Sequence, residues 1–390
     1  MVSAYILTCN AGSNSLKSAL YTADGPDLRY RFLADRIHDH MTLEVKDCHG
    51  ETIATDSDVG TGYEKALTWM TDFLHDRIDN FRLAAAGHRI VHGGPYYAGP
   101  VVVNQAVMTN LAKLNPLAPS HQPHNLSLIE ALKKLDPDLM QVACFDTSFH
   151  RSQSPEAANF ALPRQLVEEH DLYRYGFHGL SYDYIAATMA DHLQESERQR
   201  VIALHMGGGC SGCAMKDGRS VATTMGLTAL DGLMMNTRPG HLDPGVVLYL
   251  CQHTGRTVEE VADILYRESG LLGVSGISGD MRDLAASDDP RAAQAVNLFC
   301  AMAARETAAL VTELGGLDAL IFSGAMGADD ANVRTKIVDR LGFLGISLDA
   351  AANRENRTVL SDADSRIKVL MLPTDEEIVI ARKTCELMEK

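Results

Sequence analysis

Three short segments of glycine and small polar residues each follow an apolar run. The first is Asn10-Ala11-Gly12-Ser13-Asn14-Ser15, with Lys17 just beyond. The second is His205-Met206-Gly207-Gly208-Gly209, and the third is Ser323-Gly324-Ala325-Met326-Gly327. Such turns either present backbone N–H groups, hydroxyls and amides to a phosphate or simply reverse the chain. Three of them after strands fit a nucleotide held by two domains. None matches GxxxxGK[ST], which excludes a Walker-type loop; Gly207 to Gly212 spells GxGxxG, but the run leads into a second strand and not into the helix that a dinucleotide fingerprint requires.

Two arginines stand in comparable surroundings. Arg89 follows His88 and precedes Val91, His92 and Gly93-Gly94, and Arg238 lies in the turn-rich run Met235-Asn236-Thr237-Arg238-Pro239-Gly240. Guanidinium groups bind carboxylate or phosphate in two-pronged fashion, so a pair suits a doubly anionic substrate; each could equally serve a structural ion pair. Asp146 follows the apolar run Val142 to Phe145. A carboxylate at the carboxyl end of a strand can hold Mg²⁺, polarise a nucleophile or cap the next helix. His121 and His178, in segments rich in Pro or Gly, can donate to a developing phosphoryl charge or serve as structural hydrogen-bonders.

The elements that must position these residues alternate. Strands are expected at Tyr5–Cys9 and Leu16–Tyr21 around the first turn, then a helix over Tyr63–Ile78 and a strand over Leu83–Val91. A helix over Asn125–Leu135 and a buried strand over Gln141–Phe145 follow. The hairpin recurs as Arg200–His205 and Ser211–Lys216 with a turn at Asp217-Gly218, which suggests a duplicated fold. A helix over Ala292–Leu314 leads into a strand at Ala319–Phe322 and the loop Ser323–Gly327. The chain ends as a strand at Val369–Leu372 and a helix over Glu376–Glu389. This order predicts an α/β architecture.

The 390 residues are about two and a half times a typical domain of roughly 150, so two domains are expected. With 35 Lys+Arg against 51 Asp+Glu the formal net charge is −16. That repels nucleic acid and anionic membrane, and leaves room for a local basic site for a small anion. No apolar run reaches the roughly 18 residues of a membrane span, and Met1–Thr8 lacks the pattern of a signal peptide. Eight cysteines include one lone CxxC, Cys210 and Cys213, which without a second pair or nearby His does not make a zinc site. A cytoplasmic protein with reduced thiols is expected.

Together these segments resemble the acetate kinase family, within the superfamily of sugar kinases, heat-shock ATPases and actin. Asn10 to Lys17 resembles N-[AC]-G-S-S-S-x-K, and Gly87 to Gly94 resembles GHRVVHGG. Leu117 to His121 resembles LAPLH, Phe145 to His150 resembles FDTAFH, and Arg174 to Gly179 matches RYGFHG. Leu271 to Leu284 resembles LLGISGISSDMRDL, and the similarity runs on through Pro373 to Glu377.

The resemblance implies two similar ASKHA-type (ribonuclease H-like) α/β domains with an interdomain active-site cleft. The first would cover residues 1–148 plus 377–390, and the second, nucleotide-binding, 149–376. It also implies a homodimeric cytoplasmic enzyme that transfers a phosphoryl group between ATP and a short-chain carboxylate with Mg²⁺, or Mn²⁺ in its place. Carried over by position, Arg89 and Arg238 grip the carboxylate and the migrating phosphoryl group, His178 donates to it and His121 supports it. Asn10, Asp146 and Glu376 organise the metal, with Asp146 also near the attacking carboxylate. Val91, Ser120, Phe177 and Ala229 line the acyl group. Lys17, His205, Gly207, Gly208, Gly209, Asp280, Arg282, Gly324, Ala325, Met326, Gly327 and Ala328 face the nucleotide.

Some positions depart from the family pattern. Its HLGNG reads His205-Met206-Gly207-Gly208-Gly209, with Gly208 in place of an Asn. Its GIGEN reads Ala325-Met326-Gly327-Ala328-Asp329, and its SGDIDP reads Pro239-Gly240-His241-Leu242-Asp243-Pro244. Ser120 and Ala229 stand where the family usually has Leu and Pro, which implies a roomier, more polar acyl pocket. The same chemistry with propionate, a hydroxy acid or pyrophosphate is the neighbouring reading, and a non-catalytic nucleotide-binding protein is the distant one.

Overall fold

The computed structural model describes residues 4–12, 14–57 and 59–389; Met1–Ser3 of the opening segment and Ser13 of the first loop fall outside it. The chain divides into two compact units, Met1–Phe149 with Asp375–Lys390, and His150–Thr374.

The first unit is built on eight strands: β1 (Ala4–Ala11), β2 (Ser15–Thr22), β3 (Leu28–Asp35), β4 (Thr42–Asp47), β5 (Thr52–Asp56), β6 (Arg82–Ile90), β7 (Val101–Val102) and β8 (Met140–Phe145). Their order is β5-β4-β3-β2-β1-β6-β8-β7. The first five run antiparallel, while β6 lies parallel to β1 and β8 parallel to β6. The carboxyl ends of β1, β6 and β8 therefore share one edge.

Side-chain alternation sorts the two faces of this sheet. Leu7 and Cys9 of β1, Leu16 and Leu20 of β2 and Ala86 of β6 join one core with the helices α1 (Tyr63–Arg77) and α2 (Gln122–Leu135). Helix α1 offers Tyr63, Ala66, Leu67, Met70 and Leu74 at three- and four-residue spacing, the stripe such packing requires. On the opposite face Ala19 and Tyr21 pack against Ala381 of the C-terminal helix Glu376–Met388. A Cβ at Gly87 would collide with Thr384 and Ile380 of that helix. Glycine here lets the helix settle on β6, and Asp375 caps its start by accepting from the Ile378 N–H. The returning segment therefore begins at Asp375, two residues before the expected 377, and Glu376 belongs to the first unit.

The second unit holds β9 (Arg200–Met206), β10 (Cys210–Lys216), β11 (Arg219–Thr223), β12 (Ala319–Ser323) and β13 (Lys368–Met371), ordered β11-β10-β9-β12-β13. Strands β9 to β11 run antiparallel, and β12 and β13 continue parallel to β9. This repeats β3-β2-β1-β6-β8 strand for strand, so the duplication suggested by the two hairpins is a duplication of topology. Helix α3 (Gly179–Thr188) follows a left-handed residue, His178, at φ 58°. The long helix α4 (Pro290–Leu314) is capped by Asp289 and stopped by Gly315 at φ 68°.

Two local expectations change. The first hairpin turn is shorter than six residues, because Asn10 and Ala11 stay in the ladder opposite Lys17 and Leu16. The segment after β12 is a helix, α5 (Gly324–Asp329), and not a loop. Gly324 alone takes a positive φ, 73°, where a Cβ would press on the Met206 backbone; the residues after it are free to coil.

Candidate active site

At the shared edge of the first unit the parallel register brings three residues together. Cys9 pairs with His88, and Ile90 with Phe145, so Asn10, Arg89 and Asp146 end neighbouring strands. The Asp146 N–H donates to the Ile90 carbonyl at 3.0 Å, which extends the ladder by one step. Arg89 Nη2 meets Asp146 Oδ2 at 2.6 Å, and Nε donates to both carboxylate oxygens at 3.1 and 3.2 Å. Arg89 Nη1 reaches Asn10 Oδ1 at 3.3 Å, and Glu376 Oε2 lies 3.9 Å from Nε. Asp146 thus pairs with Arg89. Burial works against the guanidinium charge, but the carboxylates of Asp146 and Glu376 outweigh it and hold Arg89 above its ordinary pKa.

Two polar residues of α2 hold the neighbouring main chain. Asn125 Oδ1 accepts from the Val91 N–H at 3.1 Å, and its Nδ2 donates to the Ala11 carbonyl at 2.9 Å. Gln122 accepts from the His92 N–H at 3.1 Å and donates to the His92 carbonyl at 3.0 Å. Sequence reasoning missed both. The available signal was a pair of amides three apart on the apolar side of a helix, which burial obliges to find partners. His121 stands at the N-terminal boundary of α2, half-buried beside half-buried Ser120, and Val91 is buried. Lys17 faces the same side of the sheet as Asn10 and lines a recess of about 270 Å³ with Arg31, Glu44, Lys46 and Glu377. It makes no hydrogen bond to the Arg89 cluster among the described residues.

In the second unit His178 is fixed by a relay. Its Nδ1 lies 2.8 Å from Ser211 Oγ, which lies 2.5 Å from the Tyr182 hydroxyl. Burial pushes the Tyr182 phenol well above its usual pKa, so it keeps its proton and can donate to Ser211. When Tyr182 donates to Ser211, the Ser211 proton goes to Nδ1 and the ring carries a proton on Nε2; with both bonds reversed, Nδ1–H donates to Ser211. The His205 ring stacks on His178 with centroids 4.4 Å apart. A Cβ at Gly209 would lie 2.9 Å from Arg238 Nη2 and 3.4 Å from His178 Nε2, so both side chains flank the glycine loop. Arg238 Nη1 donates to the Ala229 carbonyl at 2.8 Å, and burial lowers the Arg238 pKa.

The remaining positions divide. Gly324 meets the Met206 backbone, which places α5 beside the glycine loop. Fully buried Arg334 donates to the carbonyls of Gly327 and Ala328 at 2.8 and 2.7 Å and to Asn353 Oδ1 at 2.7 Å. This anchor for Ala325, Met326 and their neighbours was also missed. Asp280 and Arg282 pair with each other at 2.6 Å, and that pairing pulls the Asp280 carboxyl down to about 2. Phe177 is buried, its carbonyl 2.9 Å from His150 Nε2. Cys210 and Cys213 lie three apart on β10 and so face opposite sides of the sheet. Cys213 has His150 Nδ1 beside it at 4.0 Å. Burial pushes both thiols up to about 12.

Two copies of one ribonuclease H-like core, one ending in a guanidinium–carboxylate cluster and the other in a glycine loop flanked by His and Arg, define a protein of the ASKHA class. The Acetokinase family model matches residues 5–382. An acetate kinase of Rhodopseudomonas palustris is 45% identical, over 98% of each chain, and one of Rhizobium meliloti 41%, also over 98% of each. A crystal structure of a propionate kinase from Francisella tularensis superposes with a TM-score of 0.89 at 33% identity, over 97% of this chain and 98% of that one. The acetate kinase of Porphyromonas gingivalis gives 0.87 at 30% identity, over 99% and 100%. The chain belongs to the acetokinase family.

Proposed function

We propose that this chain is an acetate kinase-like carboxylate kinase, transferring the γ-phosphoryl group of ATP reversibly to acetate or a similar short-chain carboxylate. The observation that carries this reading is the Arg89 guanidinium held by Asp146, Asn10 and Glu376 where three parallel strands end. A carboxylate is already ionised at pH 7, so the reaction needs alignment and charge neutralisation more than a base. A carboxylate oxygen attacks the γ-phosphorus, the bond to the bridging oxygen breaks, and the electron pair leaves with ADP.

In this reading Arg89 and Arg238 neutralise the carboxylate and the migrating group. His178 donates from Nε2 to a phosphoryl oxygen, and His121 supports it. Val91, Ser120, Phe177 and Ala229 surround the acyl group. The nucleotide falls to Lys17, His205, Gly207 to Gly209, Asp280, Arg282 and Gly324 to Ala328.

Asn10, Asp146 and Glu376 offer oxygen donors only, which suits Mg²⁺ or Mn²⁺ over softer metals. Asn10 and Glu376 would hold the ion while Arg89 engages Asp146, and phosphate oxygens and water would complete its shell. Bound there, it would neutralise charge on the phosphate chain. Among the described residues no helix is long and apolar enough to cross a membrane. The family resemblance supports a homodimer working in the cytoplasm. A second reading keeps the chemistry with propionate as acceptor, favoured by the small Ala229 side chain.

Trapping acyl phosphate with hydroxylamine tests this, with Mg²⁺, ATP or pyrophosphate, and acetate, propionate or a hydroxy acid. ATP-dependent hydroxamate that Arg238→Ala abolishes is the expected result. No product with any acid would overturn the reading, and a preference for pyrophosphate would reassign the donor.

A further inference from the structure

Gly208 takes an ordinary backbone conformation that any residue adopts, and a Cβ there would meet only Asn236 Nδ2, at 3.8 Å. Its backbone therefore does not demand glycine. The missing side chain leaves space, and the Asn236 amide is turned toward that space. Asn236 Oδ1 is buried and accepts no hydrogen bond among the described residues. The Asn236 side chain is equally without a donor contact there. The shielded Oδ1 faces away from any phosphate, while Nδ2, at the edge of the space over Gly208, has no protein acceptor among the described residues and is available to a ligand oxygen there.

The backbone around this amide is firmly held. The Asn236 carbonyl accepts from the Leu272 N–H at 2.9 Å, the Met235 N–H donates to the Arg238 carbonyl at 3.0 Å, and Thr237 Oγ1 donates to the Tyr266 carbonyl at 2.8 Å. One rigid turn thus brings Asn236 to Gly208 and Arg238 to Gly209. We propose that Asn236 is the side-chain amide of the glycine loop, donating from Nδ2 to the phosphate chain of the nucleotide in the space left by Gly208. This rests on the kinase reading above. It makes Asn236 a binding residue for the donor that leaves the carboxylate untouched.

The test compares wild type, Asn236→Ala and the double variant Gly208→Asn/Asn236→Ala, with ADP affinity from calorimetry and KM for ATP and acetate from hydroxamate formation. Asn236→Ala is expected to raise the ADP Kd and the ATP KM about tenfold, as for a lost hydrogen bond to a charged group. The acetate KM should stay within about twofold and kcat within about threefold. The double variant should recover most of the lost affinity, which a merely structural residue would not allow. Unchanged nucleotide affinity, equal damage to the acetate KM, or no recovery would overturn the proposal. Wild type that binds ADP but forms no acyl phosphate would sink the kinase reading instead, and calorimetry alone would then decide the role of Asn236.

Discussion

Arg89 and Asp146 form a two-pronged ion pair at the ends of adjacent parallel strands, 2.6 Å at its shortest, with the carboxylate only 1% exposed. Removing one partner of such a pair leaves a buried charge uncompensated, at a cost of about 3–5 kcal/mol. Asp146→Ala is therefore expected to lower the unfolding free energy of the first unit by about that much in urea titrations and to cut kcat at least 100-fold. Wild-type stability in that variant would show that the pair does not hold Arg89 in place.

The relay Tyr182–Ser211–His178 predicts a separate loss. In Ser211→Ala, Nδ1 loses its donor, and the proton on Nε2 is no longer specified. A fall in kcat of about 10- to 100-fold is expected, with little change in KM for ATP or acetate. Nitrogen chemical shifts of the His178 ring should report the Nε2–H form in wild type and a mixture in the variant. An Nδ1–H tautomer in wild type would refute donation from Tyr182 through Ser211 to Nδ1.

Gly209 is constrained by its neighbours and not by its backbone. Gly209→Ala puts a methyl group 2.9 Å from Arg238 Nη2, and the guanidinium must move. Activity should fall by about 100-fold while Tm shifts by no more than a few degrees, since the displaced side chain has room only at the cost of its alignment. Full activity would mean that Arg238 is not poised as the structure has it.

Two buried histidines predict acid sensitivity. Burial lowers the pKa of His88 and of His150 from 6.5 to about 4. Between those values the unfolded chain binds more protons than the folded one, so stability rises with pH across the window and is lost as pH falls from about 6.5 to about 4. Urea midpoints measured from pH 7.5 down to 4.5 should decline, and His150→Gln should flatten part of that slope. A flat wild-type profile would contradict the burial of both rings.

The proposed placement of Ser120 and Ala229 around the acyl group predicts acceptor choice. Adding volume with Ser120→Leu should favour acetate over propionate by about tenfold in kcat/KM, because one methylene is worth about 1–3 kcal/mol in such a pocket. An unchanged ratio would remove Ser120 from the acyl pocket.

Much of the framework was legible along the chain. Short apolar runs marked β1, β6, β8, β9 and β12, and apolar spacing marked α1, α2 and α4. These signals are local, since they arise from short buried segments and the helical repeat. Even so, periodicity did not separate the coiled start of α5 from a loop, because Gly324-Ala325-Met326-Gly327 is too short to show a period.

What tertiary structure alone decided is pairing. Asn10, Arg89, Asp146 and Glu376 are scattered over most of the chain, and only the parallel register of β1, β6 and β8, with a C-terminal helix seated on Gly87, sets them around one guanidinium. The partners of Asn125, Gln122 and Arg334 were hidden in the sequence for the same reason, although the two amides stood out on the apolar side of their helix. A buried amide or guanidinium must be satisfied, but which distant carbonyl satisfies it depends on long-range packing that neighbouring residues do not encode.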